Sequence, residues 1–276
     1  MEKKVKILVA AHKADPAIRQ DEVYMPIHVG KSLHPDVELG YQGDNTGDNI
    51  SDKNPSYCEL TALYWAWKNL KDINYIGLAH YRRYFKGIND KKEIELLLKK
   101  YDVVTLEKRS LPTSVAADLE HLLSMEEVAI MIDTLISSYP EMKQDVIDYF
   151  YRGNKVSQCN MFIMKWKDFQ EYCEFLFPLL KQIEGKLPRM NFARQRRNIG
   201  YMAEALQGLY IKHKGMKVKE CEKQEIGLPQ QNELIKRMKC VRDYIVFNFF
   251  RHPNKIYVYD SVRVGLINDH IHLSSI

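Results

Sequence analysis

Short apolar runs alternate with amphipathic segments along most of this chain, and this alternation limits its possible folds more than any other feature. Lys4 to Ala11 is a continuous apolar and β-branched run, typical of a strand buried on both faces. Further strands are predicted over 73–79, 101–106, 156–165 and 216–221, with helices over 90–100, 124–139 and 198–213 between them. The order predicts an α/β fold with a largely parallel central sheet.

Composition excludes several classes of protein. The chain has 276 residues, of which 45% are apolar and 28% are charged, so it is neither disordered nor fibrous. Its net charge of +5 is too small to indicate nucleic acid. The five cysteines are an odd, scattered set without a C-x-x-C pair, which argues against a disulfide framework or a zinc site. The first apolar run is too short for a signal peptide, so we expect a cytoplasmic protein.

The last fifty residues differ from the rest. We predict one main domain over 1–225 and a C-terminal appendage over 226–276 that is not an independent domain. Within it, the segment from Asn232 to Arg251 interleaves basic with apolar and aromatic residues. Such a helix either lies on an anionic membrane or packs its apolar side on the main domain, and the sequence leaves both open.

Polar and cationic residues follow the first two long strands of the main domain. In open α/β sheets, ligands bind beyond the carboxyl ends of strands. That rule points to His12 and Lys13 after the first strand and to His80, Tyr81, Arg82 and Arg83 after the next. The arginines either meet an anionic ligand such as a phosphate or form ordinary ion pairs, and spacing alone favours neither.

A loop rich in Gly, Asp and Asn spans Gly43 to Asn49. Its candidate ligands for a ribose, a sugar or a divalent cation are Asp44, Thr46, Gly47, Asp48 and Asn49. A calcium loop is disfavoured because the bidentate Glu is missing. A solvated turn remains the favoured interpretation on the residues alone.

Two glutamates are candidate catalytic bases. Glu204 follows a basic run that ends in Arg197, and it is either a general base or the ion-pair partner of that arginine. Glu59 closes the sequence Ser56-Tyr57-Cys58-Glu59, which predicts a capping box and so a structural reason for its presence. No dinucleotide-binding, Walker A or G-x-S-x-G motif is present.

Several motifs together resemble one bacterial family of capsular and exopolysaccharide glycosyltransferases, first described as a domain of unknown function. They are Lys6-Ile7-Leu8-Val9-Ala10-Ala11-His12-Lys13, Gly47-Asp48-Asn49-Ile50-Ser51, Asn54-Pro55, Tyr57-Cys58-Glu59-Leu60-Thr61, Gly77-Leu78-Ala79-His80-Tyr81-Arg82-Arg83-Tyr84-Phe85, Asn160-Met161-Phe162-Ile163-Met164 and Gly200-Tyr201-Met202-Ala203-Glu204. The family is similar to GT-A-type transferases that use nucleotide sugars, and some members are galactofuranosyltransferases. The resemblance implies a GT-A-like, Rossmann-type sheet with helices on both faces, followed by the C-terminal helical appendage.

The resemblance also implies roles for individual residues. His80-Tyr81-Arg82 stands where GT-A enzymes carry an Asp-x-Asp metal motif, so Arg82, Arg83 and Lys13 are expected to neutralise the leaving diphosphate without a metal, although a divalent cation is not excluded. Asn160 is expected near the donor sugar. Glu204 is the expected base, with Glu59 as the competing carboxylate and Arg197 beside the acceptor.

The resemblance thus predicts an inverting hexosyltransferase, with galactofuranosyl transfer among the candidate reactions. Its donor would be a nucleotide sugar, a UDP-sugar for preference, and its acceptor a growing, lipid-linked surface polysaccharide that a peripheral contact with the inner membrane would bring within reach. A non-catalytic protein of capsule assembly that binds nucleotide sugar or glycan is the main alternative. A nucleotidyltransferase would need a Gly-rich phosphate loop near the N-terminus, and this sequence has none there. Nucleic acid is not an expected partner.

Overall fold

The computed structural model describes residues 4–189, 191–227, 233–250 and 258–275. The strands are β1 Val5–Ala11, β2 Tyr24–His28, β3 Gln42–Gly43, β4 Tyr75–His80, β5 Arg83–Phe85, β6 Val103–Leu106, β7 Arg109–Ser110, β8 Lys155–Val156, β9 Phe162–Lys165, β10 Val218–Cys221 and β11 Lys223–Glu225. The helices are α1 Asn54–Tyr57, α2 Leu60–Asn69, α3 Lys91–Lys100, α4 Val115–Leu119, α5 Met125–Ser138, α6 Lys143–Val146, α7 Trp166–Lys186, α8 Asn198–His213, α9 Glu233–Phe250 and α10 Asp260–Asn268.

The described residues form two compact units. The sheet unit comprises 4–107, 157–175 and 216–227, and the helical unit comprises 108–156, 176–189, 191–215, 233–250 and 258–275. These boundaries run along different lines from the predicted division into 1–225 and 226–276. That the C-terminal segment is not an independent domain stays a prediction, and Asn232 and Arg251, which bound its basic stretch, lie outside the described residues.

The sheet unit is built around a mostly parallel sheet in the order β10-β6-β9-β4-β1-β2-β3. Strand β1 runs parallel to both β2 and β4, and β10 runs parallel to β6. Strand β9 is antiparallel to its neighbours β4 and β6, while β5 and β11 form an antiparallel extension beside β4. The α/β class with a largely parallel sheet, predicted from the alternation of strands and helices, is confirmed.

Helices cover both faces of this sheet. Ile7 lies on one face in a cluster that also holds Ile94 of α3 and Ile163 of β9. Successive side chains of a strand point to opposite faces. Phe162, next to Ile163, therefore faces the other way, where its ring stacks on Phe169 of α7 with centroids 6.0 Å apart. Burial on both sides explains the unbroken apolar runs in these strands.

Two helices begin with a capping box. Ser124 forms the box that the sequence predicts at the start of α5, and Asp90 forms another at the start of α3; in each, the partner is a glutamate three residues later. The predicted box from Ser56 to Glu59 is wrong. Ser56 lies inside the short helix α1, which ends at Cys58, a residue with a φ of 52°. Glu59 is the N-cap residue of α2, and its side chain makes no capping hydrogen bond.

The helices of the described residues were compared with the length and hydropathy that a membrane span requires. None of them is both long enough and apolar enough to cross a bilayer.

Candidate functional site

The carboxyl ends of β1 and β4 bring two predicted segments together. Val9 pairs with Ala79 and Ala10 with His80 in parallel register, so both strands end at one edge of the sheet. The ring of His12 meets the ring of Tyr81 edge-on at 5.3 Å, and Nζ of Lys13 lies 5.7 Å from the centre of that tyrosine ring. Both segments therefore lie side by side at the carboxyl edge of the sheet, and their roles in ligand binding stay predictions. We call His12, Lys13, Tyr81, Arg82 and Arg83 the strand-end cluster.

Arg82 is held by an acid that the sequence analysis missed. Its Nη2 and Nε atoms lie 2.7 and 2.9 Å from Oδ2 of Asp15. A hydrogen bond from the Ala17 N–H, and then Arg82 itself, lower the pKa of Asp15 below 3.8. The side chain of Arg82 remains 41% exposed, so the ion pair fixes the guanidinium without covering it. Asp15 stands two residues beyond Lys13, and its place in the same strand-end loop was a signal available in the sequence.

Arg83 joins the cluster from the antiparallel extension. It faces Glu225 across β5 and β11, with Nε 3.5 Å from a carboxylate oxygen, and it is also 41% exposed. Lys223 is the main cause of the lowered pKa of Glu225, and Arg83 adds to it. Glu225 was missed because no strand was predicted there. Both arginines therefore form the ion pairs that the sequence left open, and each keeps 41% of its side chain exposed.

A buried carboxylate lies beside the cluster. Oε1 of Glu59, which is 8% exposed, accepts a 2.7 Å hydrogen bond from Nδ2 of the fully buried Asn160 and lies 4.0 Å from Nε2 of His80. That Nε2 also lies 2.8 Å from the carbonyl oxygen of Cys159. A carbonyl only accepts hydrogen bonds, so Nε2 of His80 carries a proton. We call Glu59, His80 and Asn160 the Glu59 trio.

The backbone around the trio is strained. Five residues other than glycine have a positive φ within the described ranges, and three of them lie in or next to the trio: Asn160 itself at 50°, Cys58 at 52° and Cys159 at 65°. Such conformations cost of order 1–3 kcal/mol each and persist where the surrounding structure holds them, often at functional sites. Cys159 also links the trio to the strand-end cluster, since Nη1 of Arg83 lies 3.8 Å from its sulfur.

The loop from Gly43 to Asn49, the glycine loop, has a different internal structure. Asp44 has no exposed surface, and its carboxylate accepts hydrogen bonds from the N–H groups of Gly30 and Lys31 at 2.9 and 3.2 Å and from the hydroxyl of Ser51. In this structure Asp44 holds the loop together. Donor binding by Asp44 stays a prediction.

The rest of the glycine loop is fastened to α2. Oγ1 of Thr46 accepts a 2.8 Å hydrogen bond from the indole N–H of Trp65. Gly47 has a φ of 57°, and a Cβ there would lie 1.9 Å from Oδ1 of Asn69. The backbone N–H of Asp48 donates to that same oxygen at 3.2 Å. The loop is thus fastened by hydrogen bonds, whereas the residues alone favoured a solvated turn. Donor contacts by Thr46, Gly47, Asp48 and Asn49 stay a prediction.

Two predicted residues, Arg197 and Glu204, lie in the helical unit. Helix α8 is buried along most of its length, and Tyr201 and Glu204 are its half-buried positions before the last turn. Arg197 lies just before the first residue of α8, and its guanidinium sits 5.7 Å from the centre of the Tyr201 ring. The roles of Glu204 and Arg197 stay predictions.

The helical unit also contains a cavity of about 370 Å³, which is lined by Glu120, His121, Leu122, Leu123, Ser124, Glu127, Phe192, Arg194 and Gln195. The ring of Phe192 is 73% exposed, and Arg194 donates to the carbonyl oxygen of His121. Burial raises the pKa of Glu120. The cavity was not predicted, because its residues share no motif.

Metal ligands were also sought in the described part of the chain. It holds no group of three or more His, Cys, Asp or Glu side chains placed to bind a metal ion. Metal independence nevertheless stays a prediction, since it concerns the reaction and not the resting arrangement of side chains.

Comparison with known proteins supplies the family. The profile of a family described as a domain of unknown function, DUF4422, matches residues 6–215. The chain belongs to this family. The matched residues include the strand-end cluster, the Glu59 trio, the glycine loop and Glu204. No curated protein matches the chain.

A solved structure is similar to this DUF4422 chain. It is the apo structure of WbbM, a bifunctional glycosyltransferase, with a TM-score of 0.73 and 30% sequence identity over 82% of this chain. The match covers 46% of the WbbM chain, so this chain spans less than half of that protein. With the mostly parallel sheet, the likeness confirms the predicted GT-A-like α/β fold.

Proposed function

We propose that this DUF4422 protein is a glycosyltransferase that moves a hexosyl unit from a nucleotide sugar, a UDP-sugar for preference, to a glycan acceptor. The observation that carries the proposal is the strand-end cluster. Lys13, Arg82 and Arg83 stand at the carboxyl edge of parallel strands, the edge where α/β proteins bind ligands. The likeness to WbbM supports glycosyl transfer as the class of reaction.

The cationic groups suit the chemistry of the leaving group. When the bond between the anomeric carbon and the diphosphate breaks, the electron pair and negative charge go to the departing diphosphate oxygen. Preorganised cations at that point stabilise the charge without reorganising during the reaction. Asp15 and Glu225 already hold the two guanidinium groups in place, and each arginine has donors in a planar fork suited to phosphate.

The acceptor hydroxyl must lose a proton as its oxygen attacks the anomeric carbon. Glu59 is the carboxylate that the geometry supports best, because the capping role that would have explained it is absent and Asn160 orients one of its oxygens. His80, fixed through the Cys159 carbonyl, stands beside it. A direct displacement of this kind inverts the anomeric centre, as proposed from the sequence. Glu204, the base expected from the resemblance, is the rival.

The nature of the acceptor rests on the sequence motifs. Their resemblance to capsular and exopolysaccharide transferases supports a growing surface polysaccharide carried on a lipid, with galactofuranose among the candidate sugars. We propose that the protein acts in the cytoplasm. Phe192, whose exposed ring lines the cavity of the helical unit, offers a stacking surface for a sugar.

A thermal-shift screen against nucleotides and nucleotide sugars, with EDTA or with Mn²⁺ or Mg²⁺, tests the proposal. We expect UDP and UDP-sugars to raise the melting temperature in the presence of EDTA. Stabilisation only with metal would keep the transferase and contradict the account of the cationic cluster. No response to any nucleotide would favour the alternative of a glycan-binding protein of capsule assembly.

A further inference from the structure

Helix α9 exposes an unusual amount of apolar surface. Eight large apolar side chains of α9 are exposed, and five of them follow one another at three- and four-residue spacing, which places these five in one stripe along the helix. Ile235, Tyr244 and Phe250 lie outside that stripe. The stripe consists of Leu234, Met238, Val241, Ile245 and Phe249, and these side chains are between 44% and 75% exposed. An exposed apolar patch of this kind marks an interaction surface.

The opposite side of α9 is the side that packs. Asp243 and Phe247 are only 2% and 5% exposed, and both lie about half a turn away from the stripe. The helix is thus fixed through one face while the apolar stripe points away from it. Within the described part of the chain, the five side chains of the stripe keep between 44% and 75% of their surface exposed.

Basic residues flank the stripe. Arg237 lies along one border and Arg242 along the other, and both are exposed, as are Lys236 and Lys239. Of the two acids in the helix, Asp243 is buried and paired with Arg242. An apolar stripe with arginines on both borders is the arrangement of a helix that lies in the surface of an anionic membrane, its long cationic side chains reaching the head groups.

We propose that α9 is a membrane-docking helix that inserts its apolar stripe among the acyl chains of an anionic lipid surface. The charge pattern favours lipid over a second copy of this chain, because two copies meeting stripe to stripe would bring their arginines together. The inference goes beyond glycosyl transfer. If the acceptor is carried on a lipid, docking would hold the enzyme at its substrate.

Vesicle co-sedimentation of the full chain tests this, with vesicles of equal parts phosphatidylglycerol and phosphatidylcholine against vesicles of phosphatidylcholine alone. We expect the protein to sediment with the anionic vesicles and to stay in the supernatant with the neutral ones. Combining Leu234→Gln, Met238→Gln and Ile245→Gln should weaken partitioning about a hundredfold or more. A charge variant, Arg237→Gln with Lys239→Gln, keeps the stripe and should weaken it about fivefold for each charge removed.

Helix α3 supplies the matched control. Leu96 is 66% exposed, and Lys92 and Lys99 are exposed on the same helix. Leu96→Gln with Lys92→Gln and Lys99→Gln should leave sedimentation unchanged, which separates a docking helix from general loss of apolar and basic surface.

Three results would overturn the proposal: a wild-type protein that stays in the supernatant with both vesicle types, α9 variants that sediment like the wild type, or a wild-type dimer that the stripe variant turns into a monomer in light scattering. The last would assign the stripe to a contact between copies. The assay contains neither donor nor acceptor, so its failure would leave the proposed glycosyl transfer untouched.

Discussion

The Glu59 trio and the glycine loop lie at the same edge of the sheet and both contain a buried carboxylate, but the two carboxylates have different surroundings. In the loop, the carboxylate of Asp44 is enclosed by two backbone N–H groups and a hydroxyl, all within a short stretch of chain. In the trio, Glu59 meets Asn160, a residue 101 positions away, next to backbone that adopts left-handed conformations. The loop is organised to be stable. The trio keeps a strained arrangement beside exposed cations, which is typical of a working site.

The largest effect should follow from Glu59→Gln, which keeps the shape of the side chain and removes its ability to take a proton. We expect the rate of glycosyl transfer to fall about 10²–10⁴-fold, the usual contribution of a general base, while the free energy of unfolding changes little. The measurement is kcat with the preferred nucleotide sugar, alongside a urea titration. Glu204→Gln is the matched variant, and if it lost activity while Glu59→Gln kept it, the proton acceptor would be Glu204.

Asp44→Asn should lower the stability of the protein and leave the rate of glycosyl transfer unchanged, the reverse of Glu59→Gln. The new amide would present N–H groups to the donors of Gly30, Lys31 and Ser51, so we expect a loss of about 1–3 kcal/mol in the free energy of unfolding. The folded fraction should keep its kcat. A protein of unchanged stability with a strongly reduced kcat would place Asp44 in the donor site after all.

Gly47→Ala should destabilise the protein by about 1–2 kcal/mol, because an L-residue is strained at positive φ and its Cβ would meet Asn69. Gly40 provides the control, since its φ is 73° and a Cβ there would meet nothing within 4 Å. Denaturant titration of both variants should rank Gly47→Ala as the more damaging. Equal losses would mean that the contact with Asn69 adds nothing.

The smallest expected effect is a change, at acidic pH, in the stability that Asp15 contributes. The pKa of Asp15 is lowered in the folded protein, so the stability it contributes is present above its ordinary pKa of 3.8 and is lost as the pH falls through the folded value. The difference in unfolding free energy between wild type and Asp15→Asn should therefore shrink as the pH falls below about 4. A difference that grew on acidification would show that Asp15 is protonated in the native state.

Apolar patterning predicted many of the elements. Strands β1, β4 and β6, which are unbroken apolar runs buried at nearly every position, lie where the sequence places them, as do the short strand β10 and helices α3, α5 and α8. The strand predicted over 156–165 is divided into β8 and β9. Strands β2, β3, β5, β7 and β11 were missed. They are two to five residues long and carry residues such as Pro26 and Gly43, so their strand character comes from pairing with neighbours and not from local preference.

The candidate site was predictable only where it follows a strand end. His12, Lys13 and the residues from His80 to Arg83 came together because two parallel strands end side by side. The contact of Glu59 with Asn160 joins distant parts of the chain, and the sequence pattern instead suggested a capping box. Cys58 adopts a left-handed conformation between α1 and α2, directly before Glu59, and the spacing of apolar residues does not predict such a conformation.

The most direct test of the account is calorimetric titration of UDP into wild type, Arg82→Gln and Arg109→Gln. Arg109 lies in the helical unit and is a close match for Arg82, since it also pairs with an aspartate at 2.7 Å and is 45% exposed. We predict that Arg82→Gln weakens UDP binding about 10–100-fold, the contribution of hydrogen bonds to a charged group, and that Arg109→Gln leaves it unchanged. Equal affinities for all three proteins, or no binding by the wild type, would contradict a diphosphate site at the ends of β1 and β4.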